Sequence, residues 1–379
     1  MEGWTRSGRG GAFNGDYPVR KRCFLPPLQK GELTSKVWHQ QKKKGIILNK
    51  KIKFIVFFIM PVLAVLVFIF SLKAGAKHIT LFDAIRALFG IGEESVLTII
   101  RQIRLPRVIM AVTAGAGLAA SGCVFQGILK NPLADPFTLG ISGGAAFGAS
   151  AGFVFGLAAL SWIFIPFSAF AGALIAVLAV YALSMQRGFN SNSMILSGVI
   201  ISYIFSSMVM LLFSVSKTNH IYSAFVWLMG NMSVFDERLL PAVVTIVIIG
   251  TLILCLSGNI INAVTLGGQK ANTLGINMEK TVKIIFLLTS LITAACVSCC
   301  GVIGFVGLMM PHIMRKIVGG NNSVLIPASA LAGCIFLPLC DTLSRTLFAP
   351  IEIPVGVITS IIGGVFFIVL MMRQNRNSI

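Results

Sequence analysis

FIVFFIMPVLAVLVFIFSL, residues 54–72, runs for nineteen positions without a charged side chain. A helix crosses a hydrocarbon core of about 30 Å with about 20 apolar residues, so this stretch reads as a membrane span. Working outward along the chain, comparable runs occupy about 107–129, 136–157, 160–184, 193–215, 239–257, 281–302, 304–318, 324–348 and 354–372. Composition agrees: 56% of residues are hydrophobic and only 11% are charged, against about 25% charged in a soluble domain. Transmembrane β-strands would alternate polar and apolar residues over about ten positions, and no sustained stretch does so. The expectation is an all-α, polytopic membrane protein with about ten transmembrane helices over 54–375.

Residues 1–53 differ in kind. They hold thirteen Lys/Arg against three Asp/Glu, with scattered Gly and Pro and no apolar period. Such a segment cannot bury a core and is expected to be a disordered, basic cytoplasmic tail. Contact with anionic lipid and a dispensable extension are both open readings of it. With the N-terminus inside and ten spans, the C-terminus is also inside. Without the tail, however, the basic residues divide evenly between the two sides. The balance comes from Lys73, Lys77, Arg86, Arg101, Arg104 and Arg107, all on the expected outer side. A basic outer surface suits an acidic partner, because complementary charge steers encounter and sets register.

Several chemistries find no support. A phosphate-cradling loop needs G-x-x-x-x-G-K-[ST], and the chain contains no Gly-Lys-Ser/Thr triplet. Any ATP hydrolysis must therefore come from another chain, and no enzyme activity, cofactor or nucleic-acid partner is expected. Cys296, Cys299 and Cys300 are close in sequence, but a structural zinc site usually takes four Cys/His ligands. His39, His78, His220 and His312 share no ligand spacing. Packing is the expected role of these cysteines, and no metal site is expected.

The stretch ILKNPLADPFTLGISGG, residues 128–144, breaks the helical pattern between two apolar runs. Pro132 and Pro136 remove backbone donors and stop helices. Irregular backbone at membrane depth is tolerated where it lines a cavity, so a gate and a plain interhelical turn are both readings of it. Ionisable groups near the spans are few: Asp135 in the break, Asp341 and Arg345 four residues apart on one helix face, and Glu352 before the last span. An ion pair or an interfacial position accounts for each as well as a proton relay does.

Three long segments carry a resemblance. They are RLPRVIMAVTAGAGLAASGCVFQGILKNPLADPFTLGISGGAAFGAS (104–150), GVIGFVGLMMPHIMRKIVGG (301–320) and DTLSRTLFAPIEIPVGVITSIIGGVFFIVLMMR (341–373). In order and spacing they resemble the FecCD-type permeases, membrane subunits of ABC importers for iron-siderophores, haem and vitamin B12. The likeness spans about 55–375 and leaves out the tail. It implies a vitamin B12 permease-like bundle in the cell membrane, paired with a second, identical or related, permease subunit. It also implies two cytoplasmic ATPase subunits and an extracytoplasmic substrate-binding protein. Residue by residue, it implies an inner gate at Asn131 and Leu133 and docking of the binding protein by Arg104, Arg107 and Arg345. An ATPase-coupling loop would contain Gly267, Gln269, Ala271, Leu274 and Gly275. Iron-siderophore is the expected substrate, with haem and vitamin B12 as alternatives. A secondary transporter driven by an ion gradient is the rival of another class, since such folds also use broken helices and inverted repeats.

Overall fold

The computed structural model describes residues 54, 56–75, 77, 79–232, 237–266 and 277–376, apart from the side chains at 237 and 374–376. The expected tail, 1–53, and the expected coupling loop, 267–275, lie outside the described residues. Every regular element among those described is helical.

Helix α1 (Val56–Lys73) is followed by the short α2 (Leu81–Leu88) and the long α3 (Glu94–Ile128). Then come α4 (Ile141–Val154), α5 (Phe164–Gln186), α6 (Ser191–Ser214) and α7 (Thr218–Leu228). The remainder are α8 (Leu240–Leu256), α9 (Gly258–Leu266), α10 (Met278–Cys300), α11 (Val306–Val318), α12 (Asn322–Thr346) and α13 (Val355–Arg376). Side-chain caps mark several starts. Asn190, Asn277 and Asn321 each accept a backbone N–H two or three residues on, at 2.9–3.1 Å, which satisfies a donor that the first turn leaves orphaned.

Among the described residues, seven helices are long and apolar enough to cross a membrane, or eight if α8 and α9, bent by 54°, count as one span. The expected third and eighth spans are the exceptions to a count of ten. Helix α4 has 14 residues and α11 has 13, about 20 Å each at 1.5 Å per residue, which is short of a bilayer core. Each follows an irregular segment, 129–140 before α4 and 301–305 before α11.

Helix α3 is the axis of the bundle. Its most apolar window is 83% buried, against 22% for α1 and for α6, so α1 and α6 present most of their surface outward. Small residues let neighbours reach α3. A Cβ added at Gly122 would land on the carbonyl of Gly307 in α11. Close backbone approach of this kind drives helix association in lipid, where apolar burial alone does not. Cys123, Cys296, Cys299, Cys300 and Cys340 are buried, free thiols within this same packed core.

Candidate functional site

The two irregular segments face one cavity. The first begins where α3 ends. Asn131 Oδ1 accepts the Leu133 N–H at 2.9 Å, and the Ala134 N–H returns to the Asn131 carbonyl at 3.1 Å. This is the side-chain-stabilised turn that Asn favours. Pro136 opens a 3₁₀ turn over Pro136–Leu139, and Gly140, at φ +83°, starts α4. The Thr138 hydroxyl donates to the Asp135 carbonyl at 2.7 Å and ties the turn to itself.

The second segment follows α10. Gly301 sits at φ +69°, where a Cβ would strike the Trp227 carbonyl at the end of α7. Phe305 caps α11 at φ +67°. A bulky residue in that region is a true outlier, held there only by its surroundings. The Phe305 ring packs over Gly363 of α13, where any side chain would collide with it.

Between these segments lies a cavity of about 640 Å³, also lined by Leu228 and Met229 at the end of α7 and by Gly356, Val357 and Ser360 of α13. Leu133 projects into it and is 60% exposed. Its wall is mostly apolar. Irregular segments that precede half-length helices and meet at a cavity are the arrangement by which a bundle builds a passage. Beside it, Gln126 donates to the carbonyls of Gly307 and Leu308 at 3.4 and 3.3 Å and accepts from Arg315 Nη2 at 3.0 Å. That bridge fixes α11 against α3.

Asp135 is a buried carboxylate in the cavity wall, outside the long spans. Burial pushes its carboxyl from 3.8 up to about 7, against a smaller opposite pull from the Phe137 N–H. The folded state thus favours the protonated form. Its stabilising contribution is whole below about 3.8 and is lost as pH rises through about 7. Thermal unfolding in detergent should therefore show a midpoint that falls between about pH 4 and about pH 7 and levels off above that. In Asp135→Asn that fall should be smaller. Equal slopes for the two proteins would refute the assignment.

At the opposite end of α3, three arginines form a clamp. Arg107 Nε donates to Asp341 Oδ1 at 2.8 Å and its Nη1 to Glu352 Oε2 at 2.7 Å. Arg345 Nε lies 3.1 Å from Asp341 Oδ2, and its Nη groups donate to the carbonyls of Ser71 and Ala74 at 3.1 Å each. Arg104 donates to the carbonyls of Leu72, Lys73 and Lys77 at 2.6–2.9 Å. The clamp binds the end of α1 and the 347–354 segment to α3 and α12.

The family model described as the FecCD transport family matches residues 63–373. The chain belongs to the FecCD transport family. Among its relatives, the cobalamin import system permease protein BtuC of Halobacterium salinarum is 39% identical over 75% of this chain and 75% of its own length. The iron(3+)-hydroxamate import system permease protein FhuG of Bacillus subtilis is 32% identical over 83% of this chain and 95% of its own. A solved structure described as an inward-facing conformation of a metal-chelate type ABC transporter superposes with a TM-score of 0.73. It is 31% identical and covers 86% of this chain and 99% of its own.

In this FecCD chain the geometry brings Asn131 and Leu133 to one turn at the cavity. It also brings Arg104, Arg107 and Arg345 to one cluster. Those arginines are only 4–6% exposed, and each donates to acceptors within the chain. Phe305 and Met229 are cavity residues that the sequence reading did not single out, whereas Asp135 lies in the break that it did. For Phe305, the only available signal was its position inside a glycine-rich run.

Proposed function

We propose that this chain is the membrane-spanning permease subunit of an ABC importer that carries an iron chelate of the siderophore type into the cytoplasm. A separate ATPase supplies the energy, and an extracytoplasmic binding protein delivers the substrate. The observation that carries the reading is the cavity between the irregular segments that precede the two half-length helices, with Leu133 exposed in the first of them. Asn131 holds that turn, and Leu133 closes the inner end of the passage. A wall of small and apolar groups suits a bulky chelate that is handed over by a binding protein. Both termini face the cytoplasm, a second permease subunit completes the passage, and residues 267–275 transmit the ATPase motion to α9 and α10. Arg104, Arg107 and Arg345 serve docking by holding the 71–77 and 347–354 segments in shape, where exposed Lys73 and Lys77 meet an acidic partner.

The cobalamin name of the relative with 39% identity supports a second reading, in which the substrate is a corrinoid; haem is a third of the same class. Two assays separate these questions. Purified from its native host, the protein should bring down an ATPase of about equal stoichiometry, and a Gly/Ser replacement of 267–275 should lose it. Uptake of radiolabelled ferric hydroxamate, cobalamin and haem by cells with and without the gene then identifies the cargo. Uptake of cobalamin alone, or of haem alone, would overturn the iron-chelate assignment. Absence of any ATPase from both preparations would overturn the importer reading.

A further inference from the structure

We propose that α2 lies in the membrane–water boundary and binds acidic phospholipid, its outer stripe in the acyl layer and Arg86 at the level of the phosphates. The helix is apolar over a wider arc than its protein neighbours cover. At 100° per residue, Ala84, Ala87 and Leu88 share the face that packs with Ile79 and Ile100 in a small separate cluster. Leu81, Ile85, Phe89 and Phe82 continue that apolar surface around the next 100° or so. These four are 46%, 40%, 78% and 67% exposed. Only Asp83 and Arg86 are polar in this helix. Asp83 is occupied locally, accepting the Thr80 hydroxyl at 2.6 Å while Thr80 caps its N–H.

Position supplies the occupant. Helix α2 begins eight residues after the last residue of α1, a span that is itself mostly uncovered by protein. Arg104 ties the connecting segment to α3 through the Lys73 and Lys77 carbonyls. Helix α3 has 35 residues, about 52 Å of helix, so its first ten or so overhang a hydrocarbon core of about 30 Å. It is against that overhang, 94–104, that α2 packs. On this placement the uncovered stripe of α2 lies beside that overhang, where the hydrocarbon core gives way to headgroups. Arg86 flanks the stripe with its guanidinium 5.3 Å from the centre of the Phe82 ring, and Arg101 sits beside Gly90 at the end of the helix. Cations stacked on or snorkelling past an apolar face are how an interfacial helix meets headgroups. Exposed Glu93 and Glu94 follow on the next turn, so the attraction for acidic lipid is centred on Arg86 and Arg101.

The test places the photoreactive residue p-benzoylphenylalanine at Phe89, at Phe82 or at Asp83, with the protein in nanodiscs of phosphatidylcholine containing phosphatidylglycerol. After irradiation, mass spectrometry should find phospholipid adducts at 89 and 82 and none at 83. The phosphatidylglycerol share of the adducts should exceed its share of the disc, and Arg86→Gln should abolish that excess. Adducts absent from 82 and 89, or formed there with protein, would overturn the interfacial placement. An adduct population that mirrors the disc composition would overturn the acidic-lipid preference.

Discussion

Asp341→Ala should unfold most of the protein under conditions that the wild type tolerates. The carboxylate is fully buried between Arg107 and Arg345, whose own side chains are 7% and 5% exposed. Removing one partner of a buried ion pair costs about 3–5 kcal/mol, because the remaining charge is left without compensation. Here two guanidiniums are left, with a third, Arg104, nearby. Total stabilities of about 5–15 kcal/mol leave little reserve for such a loss. Glu352→Gln makes the contrast. Its side chain is 48% exposed, and an exposed pair is worth about 1 kcal/mol or less. Size-exclusion profiles and unfolding midpoints in one detergent should rank Asp341→Ala far below Glu352→Gln. If the two variants proved equally stable, the clamp would not be the anchor described above.

Gly122→Val is the second large effect. Two terms compete. Valine is the better helix former by a few tenths of a kcal/mol, whereas overpacking costs about 1–3 kcal/mol even in a core able to give way. This site cannot give way, because the obstacle is the backbone of Gly307 rather than the tip of a side chain. Packing wins, and α11 must separate from α3. Since Gln126 holds α11 through the Gly307 and Leu308 carbonyls, that separation also breaks a polar bridge beside the cavity. Expected are a lower unfolding midpoint and loss of uptake in cells that still insert the protein. A fully active Gly122→Val would contradict the close crossing.

Most of the helices could be read from the chain because a lipid-crossing helix must be apolar for about 20 residues, a signal that needs no tertiary information. The two half-length helices could not be read as such. The break before α4, with Lys130, Asn131, Pro132, Asp135 and Pro136, was visible but not the shortness of the helix after it, and the break at 301–305 is built from Gly and apolar residues that leave hydropathy almost unchanged. The ion pair of Asp341 with Arg345 was legible because four residues make one helical turn. The partner at Arg107, 234 positions away, was not. Nor was the fate of Arg104, whose acceptors are main-chain carbonyls that any sequence offers. The apolar width of α2 was visible residue by residue, but which part of it the protein covers depends on α3.

The most direct measurement of the central claim uses proteoliposomes holding the purified permease with its co-purified ATPase and binding protein. The quantity measured is the accumulation of a radiolabelled ferric hydroxamate. Accumulation that requires ATP on the ATPase side, and ignores imposed proton or sodium gradients, is the predicted result. Accumulation driven by an ion gradient without ATP would contradict the account and identify a secondary transporter.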